Sequence, residues 1–445
     1  MGKQRHPLGH PELDFEKSGI LDQGTVIPSS VQQNSDLEPS DLEDQIRAFR
    51  EFGKSTLVEQ VEFTTDKGDD SYVPCYLNEF WTARQRQAHS LHEVSYRACF
   101  KPQLPAFFID RLTSPGDVVY DPFMGRGTTL LEAALKGRIP YGCDINPLSR
   151  HLLLPRLFPP QQEEVQKRLS EINLDQPLDG PEDLLVFYHP ETLRSICSLR
   201  EYLLRREESG EMDHLDRWIR MVAINRLTGH SPGFFSVYSM PPNQAVSVKS
   251  QKRINERRSQ TPPLRDIASI ILKKSKALLK GMTPAEIEAL GNVAQESKIL
   301  IEPADQTSKI PANYVKLVVT SPPFLDVVDY ATDNWLRCWF IGLDAKSIDI
   351  TMSKKLEVWE EMMIRVFREL HRILKPGGHI AFEVGEVRKG SIKLEKSVLK
   401  CGHAAGLNPL MVMINAQEFT KTANCWGVDN NSKGTNSNRI VVFRK

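Results

Sequence analysis

Two short runs carry the residue types that could do chemistry. One is Asp121-Pro122-Phe123-Met124-Gly125-Arg126-Gly127-Thr128-Thr129; the other is Val318-Val319-Thr320-Ser321-Pro322-Pro323-Phe324. In the second, an apolar stretch from Tyr314 to Val319 stops at a hydroxyl, two prolines and an aromatic ring. Proline fixes its backbone angle and lacks an amide donor, so a strand must end there. Pro322 also biases Ser321 away from helix, and the carbonyls of Ser321 and Pro322 lose the amides that a continuing strand would bring them. The result is a stiff turn offering a hydroxyl and free carbonyls as acceptors. Taken alone, these residues read equally as a Pro-Pro loop with a surface aromatic.

The first run sits in a more telling frame. A Ser114-Pro115-Gly116 turn launches a short apolar strand, Asp117 to Tyr120, and the glycine turn follows it at once. A helix then runs to Lys136 and is capped by Gly137; a second strand, Pro140 to Cys143, ends on Asp144. Gly125 and Gly127 let the backbone approach a ligand closely, and an acid at the tip of the second strand can accept both hydroxyls of a ribose. The dinucleotide fingerprint would need a third glycine where Leu130 stands, because a diphosphate relies on a closely packed helix end. A ribose ligand without a diphosphate fits better. S-adenosylmethionine is such a ligand, and Asp121 is placed to meet its cationic amine; a cap on the loop's own amides is the alternative role for Asp121.

These turns must be held by a larger frame. The chain has 445 residues, enough for more than one domain, and its 57 Lys+Arg balance 57 Asp+Glu, so any nucleic-acid footprint must be local. Seven cysteines are scattered without a C-x-x-C pair or a His/Cys cluster, which argues against a structural zinc or a disulfide framework, and no metal site is expected. With no long apolar run and no signal-peptide pattern, the expectation is an intracellular protein that is not secreted. Residues 1–45, rich in Gln, Ser, Pro and acids, read as a disordered tail. From Asn78 to Ala98 the pattern reads as helical. Residues 46–150 form one half of an α/β unit, 151–295 a largely helical insertion, and 296–445 the second half, whose strands and helices alternate again up to Phe443. Within the insertion, Lys249 to Lys280 holds ten Lys/Arg against Glu256 and Asp266. That excess could neutralise several phosphates, or could be a solvated face.

Taken together, the Asp121–Thr129 and Thr320–Phe324 runs resemble the S-adenosylmethionine-dependent amino-methylating DNA methyltransferases, the cytosine-N4 group in particular. Phe100-Lys101-Pro102 with Leu104-Pro105 is similar to that family's cofactor-side motif, and Lys375-Pro376-Gly377-Gly378 recurs across Rossmann-like methyltransferases. The resemblance implies an α/β fold, a Rossmann-like seven-stranded class I methyltransferase sheet whose last strand is antiparallel, interrupted by the helical insertion as a target-recognition region. It implies that Lys101, Pro102, Asp121, Pro122, Phe123, Gly125, Gly127, Thr128 and Asp144, with Asp305 near the adenine, hold the cofactor. It makes Ser321, Pro322, Pro323 and Phe324 the catalytic set and DNA the partner. Phe324 stands where family members usually carry Tyr.

The implied reaction is direct transfer of a methyl group to the N4 amine of a flipped cytosine. That nitrogen's lone pair is delocalised into the ring, so two acceptors, the Ser321 hydroxyl and the Pro322 carbonyl, would bind both amine hydrogens and draw it toward tetrahedral geometry. Phe324 would stack on the extruded base. Carbon-5 chemistry needs a cysteine nucleophile, and Pro74-Cys75 lies before the glycine loop. Adenine-N6 methylation uses the same geometry, but family members of that kind typically carry Asp or Asn at the position of Ser321. An RNA or protein-amide methyltransferase, and a non-catalytic nucleic-acid-binding module, are the other readings of the same fold.

Overall fold

The computed structural model describes residues 39–82, 88–97, 99–177, 180–240, 242–323, 330–348, 355–385, 393–416 and 437–445. The described chain opens with helix α1 (Pro39–Ala48) and a hairpin of β1 (Leu57–Thr64) and β2 (Asp70–Asn78), followed by α2 (Gln103–Leu112). The first βαβ unit comes next: β3 (Val118–Asp121), α3 (Thr128–Leu135) and β4 (Ile139–Cys143). Seven helices then intervene: α4 (Leu148–Leu157), α5 (Gln162–Glu171), α6 (Pro190–Glu208), α7 (His214–Ile224), α8 (Val248–Arg258), α9 (Ile267–Leu278) and α10 (Pro284–Gln295). The sheet resumes with β5 (Lys298–Leu300) and β6 (Val315–Thr320), then α11 (Tyr330–Phe340), α12 (Leu356–Ile373), β7 (Leu374–Val384), α13 (Leu394–Ala404), β8 (Asn408–Ala416) and β9 (Ser437–Arg444).

Neighbouring strands lie in the order β1-β2-β8-β9-β7-β6-β3-β4-β5. From β8 to β5 these are the expected seven strands, parallel except for β9, which runs against both β7 and β8. Strand order reverses between β3 and β6: the chain leaves β3 toward β4 on one side and β6 toward β7 on the other. An open α/β sheet parts its connections there, so a crevice forms at the carboxyl ends of these two strands. The sheet alternation feeds two cores. Val119, Leu317, Val319, Ala381 and Val442 point to one face, against α1, α2, Phe80 and Trp81. Val118, Tyr120, Val318, Ile380 and Phe382 point to the other, against α12 and α13. The insertion has its own apolar core, shared with α3 and α11.

Three expectations change. The β1–β2 hairpin adds two strands to the sheet, β2 pairing in parallel with β8. The tail cannot extend to residue 45, because α1 begins at Pro39 and buries Leu42 and Ile46; residues 1–38 lie outside the described residues. The stretch from Asn78 to Ala98 is not a helix in its described part: Asn78 ends β2, the Phe80 and Trp81 amides both donate to Asn415 Oδ1, and only a single 3-10 turn occurs, at Ser90–His92. The Lys375–Gly378 run lies within β7 as a bulge, since Leu374 pairs with Val315 and His379 with Leu317. Among the described residues no helix is long and apolar enough to cross a membrane.

Candidate active site

The glycine loop is shaped by one residue more than by any other. Gly127 caps α3 with φ +77°, and a β-carbon there would lie 2.6 Å from Leu153 Cδ1 on α4. The left-handed backbone and the close helix both demand glycine. The Met124 amide donates to the Cys143 carbonyl, which fastens the loop to the end of β4. Asp144, just past β4, then closes it: Oδ2 accepts from the Gly125 amide at 2.8 Å and Oδ1 from the Asn146 amide at 2.8 Å. Burial pushes the Asp144 carboxyl up, and those two amides oppose the shift.

Asp121 ties the glycine loop to the Pro-Pro turn. It is 1% exposed, and its Oδ1 accepts from the Phe123 amide at 3.0 Å and the Thr320 hydroxyl at 2.6 Å. Thr129 reaches across in the same direction, its hydroxyl donating to the Val319 carbonyl at 3.0 Å. The ends of β3 and β6 are thus bolted together. Burial pushes the Asp121 carboxyl up to about 7, against the pull of these hydrogen bonds.

The Pro-Pro turn is braced from behind. The Trp359 indole N–H of α12 donates to the Pro323 carbonyl at 3.2 Å. The Ser321 hydroxyl donates to Glu383, a buried acid on β7 whose Oε1 also accepts from Asn438 Nδ2 at 2.8 Å. Burial raises the Glu383 carboxyl, and these two donors counter it. With its proton so engaged, the Ser321 oxygen keeps its lone pairs for a ligand.

Both turns open into one cleft of about 1120 Å3, counting its solvent-filled mouth. Of the expected residues, Pro122, Phe123, Gly125, Thr128, Asp144, Asp305, Ser321 and Pro323 line it. Asp121, Gly127 and Pro322 adjoin these residues in the chain but are not among its lining side chains. Lys101 and Pro102 lie elsewhere, Pro102 flanking a separate hollow beside α10, and it is their neighbour Phe100 that faces the cleft. Phe324 lies outside the described residues. Asp305 accepts from Arg365 Nε at 3.0 Å, and Arg365 is the one basic side chain among the lining residues. With two acids and one arginine, the described lining repels a diphosphate and suits a ribose ligand that carries a cation. Ile145, Ala304, Met362 and Val366 supply an apolar wall beside Asp305, as an adenine requires.

Sequence reasoning missed the arm that closes the cleft. Tyr96, Cys99 and Phe100 line it from a segment that Arg126 holds in place. The Arg126 guanidinium donates to the Val94 carbonyl at 2.7 Å, to the His92 and Phe100 carbonyls at 3.4 Å, and to the Thr128 hydroxyl at 3.0 Å. Buried Arg156 of α4 in turn donates to the carbonyls of Arg126 and Leu91. Glu383 and Trp359 were missed too. An acid inside the apolar strand His379-Ile380-Ala381-Phe382-Glu383-Val384 was the available signal for Glu383.

Known proteins resemble this chain most clearly around the glycine loop. A DNA methylase family model, covering N6 and N4 enzymes, matches residues 40–151. Over that stretch, about a quarter of the chain, it is similar to the amino-methylating DNA methylases. The chain is similar to the type II methyltransferase M.BsoBI of Geobacillus stearothermophilus, 22% identical in an alignment of 348 positions that covers 72% of this chain and 68% of that one. M.MvaI of Kocuria varians is 30% identical over 152 residues, 34% of this chain and 30% of that one. M.MjaII of Methanocaldococcus jannaschii is 37% identical over 92 residues, so the match spans 21% of this chain and only 16% of the relative. Among solved structures, a TehB-like S-adenosylmethionine-dependent methyltransferase from Corynebacterium glutamicum aligns over 78% of this chain and 89% of that one at 8% identity, with a TM-score of 0.28. The fold assignment stands on the strand order, and the described cleft lining fits the S-adenosylmethionine that the glycine loop led one to expect.

Proposed function

We propose that the protein transfers a methyl group from S-adenosylmethionine to an exocyclic amine of a flipped base in DNA, and that the amine is N4 of cytosine. The observation that carries the reading is that Asp144 and Ser321 line one cleft. The cofactor supplies a sulfonium methyl group. Asp144 holds the ribose hydroxyls and Asp305 lies at the adenine, against Ile145, Met362 and Val366. The acids of the lining and Asp121 beneath it favour the cationic end. On the other side the Ser321 oxygen and the Pro322 carbonyl accept the two amine hydrogens, which turns the nitrogen lone pair toward the methyl group. Glu383 fixes which way the Ser321 hydroxyl points, and Phe324 supplies the stacking ring.

Cytosine is favoured by Ser321 itself, since adenine-N6 members of the family typically carry Asp or Asn there. DNA is favoured by α8. Gln251 and Ile254 bury one face of that helix, while Lys249, Lys252, Arg253 and Arg257 stand exposed on the other. The segment leading into α8 is fastened to α11: the Ala245 amide donates to the Asp333 carbonyl and Trp335 Nε1 to the Val246 carbonyl. That ties the helix bearing this row of cations to α11, the element that follows the Pro-Pro turn.

Mass spectrometry of nucleosides from a host expressing the protein tests the reading, with N4-methylcytosine as the expected product. N6-methyladenine would move the target to adenine, and label transferred to RNA but not DNA would refute the substrate. Ser321→Ala should lower turnover roughly 10²–10³-fold, the usual effect of losing one aligned transition-state hydrogen bond, with cofactor affinity little changed.

A further inference from the structure

A second cleft opens beside the first, walled by α4, α6 and α7. Its lining includes Arg150, His151, Glu207, Arg217, Arg220 and Ile301, and it encloses about 900 Å3 with its mouth. Asn146 and Pro303 line the cofactor cleft while Pro147 and Ile301 line this one, so both open at the carboxyl ends of β4 and β5. Arg220 is buried and spends its guanidinium on Glu207, at 2.6 and 3.1 Å. Among the described residues, neither Arg150 nor Arg217 has a hydrogen-bond or ion-pair partner for its guanidinium, and neither does the His151 ring. Three guanidinium groups against one carboxylate leave an excess of two positive charges around a concave, partly desolvated space. Arg150 and Leu154 also border a neighbouring hollow that contains Lys298 and Lys309.

We propose that this cleft is a phosphate-binding subsite, distinct from the cofactor cleft, in which Arg150 and Arg217 grip the anion and the His151 ring contacts it. Arginine's planar fork matches phosphate oxygens two at a time, and fixed cations in a concave wall hold an anion better than an open lysine patch does. The excess of two charges matches one phosphate monoester dianion, or two consecutive diesters of a polynucleotide strand. Burial, followed by the neighbouring Arg220, pushes the His151 imidazole down to about 3, with Arg150 and Arg217 adding to the effect and Glu207 opposing it. The ring is therefore neutral at pH 7 and can report an anion's arrival without itself supplying charge. The polynucleotide source rests on the DNA reading above; the site itself does not.

The test is a titration of the full chain, with isotopically labelled histidine, by inorganic phosphate at pH 7, following the His151 ring by NMR against sodium chloride at equal ionic strength. A saturable shift specific to phosphate is expected. In Arg150→Gln/Arg217→Gln it should weaken about tenfold or more, because two charge-assisted contacts are lost. No shift, or the same shift with chloride, overturns the proposal, and the wild-type titration decides it even if the double variant fails to fold. Duplex binding as a function of salt then identifies the source. A slope smaller by about one to two in the double variant assigns backbone phosphates. An unchanged slope assigns a free phosphate monoester. Absence of DNA methylation would sink the proposed activity and leave the phosphate titration untouched.

Discussion

Replacing Asp121 with Asn isolates the charge of a carboxyl that both turns depend on. Burial moves this group from an ordinary 3.8 to about 7. The folded chain therefore binds more protons here than the unfolded chain between about pH 4 and pH 7, and unfolding free energy must fall as pH rises through that window. The contribution is complete below about pH 4 and gone above about pH 7. A displacement of roughly three pH units corresponds to about 4 kcal/mol at 1.36 kcal/mol per unit. Asparagine keeps an oxygen for the Phe123 amide and the Thr320 hydroxyl, and its NH2 can meet the Thr129 hydroxyl, whose own proton is given to the Val319 carbonyl. Asp144 and Glu383 are raised as well, but they are common to both proteins and cancel in the difference. Urea unfolding followed by circular dichroism from pH 4 to pH 8 should show Asp121→Asn gaining on the wild type by up to about 4 kcal/mol. A gap that stays constant across that range refutes the reasoning. The same logic makes binding of a cationic cofactor near pH 6.5 release a proton from the wild type and not from the variant, readable by calorimetry in buffers of different ionisation enthalpy.

Gly127→Ala forces a left-handed backbone on alanine, at about 1–2 kcal/mol, and drives its methyl into Leu153. Thermal unfolding should drop by several degrees and cofactor binding should weaken, both visible in a melting curve with and without S-adenosylmethionine. Arg126→Lys cannot span the carbonyls of His92, Val94 and Phe100, so loss of about 1–3 kcal/mol of arm anchoring should raise the cofactor KM by roughly tenfold to a hundredfold. The kcat at saturating cofactor should fall much less; an unchanged KM would count against the arm. Changing Lys249, Lys252, Arg253 and Arg257 together to Gln should reduce the salt slope of duplex binding by up to about three to four, at 0.9 per phosphate released, measured by fluorescence anisotropy at several salt concentrations.

The glycine loop could be read from the sequence because its structure is local. An apolar strand, two glycines, a helix and a capped end lie within thirty residues, and each glycine has a backbone reason to be there. The Pro-Pro turn was legible for the same reason, since proline ends a strand regardless of what surrounds it. The hairpin was not: Glu59, Gln60 and Glu62 hide the alternation in β1, and Pro74 sits inside β2. Phe80 and Trp81 sit in a stretch of helical pattern but are held by Asn415, more than three hundred residues away, which overrides any local preference. The acidic cluster before residue 45 masked Leu42 and Ile46, whose burial comes from a core built by α2 and the sheet. Arg126, Trp359 and Glu383 act through partners far away in the chain, and no spacing rule brings such pairs together.

The added hairpin changes how the molecule meets its neighbours. Without it, β8 would present a long apolar border with open amides to any passing chain. With it, the outermost strand on that side is β1, where Glu59 and Glu62 repel a second copy. The opposite border is β5, only three residues long. Among the described strands, both margins are thereby poorer templates for edge-to-edge pairing than a long apolar strand would be.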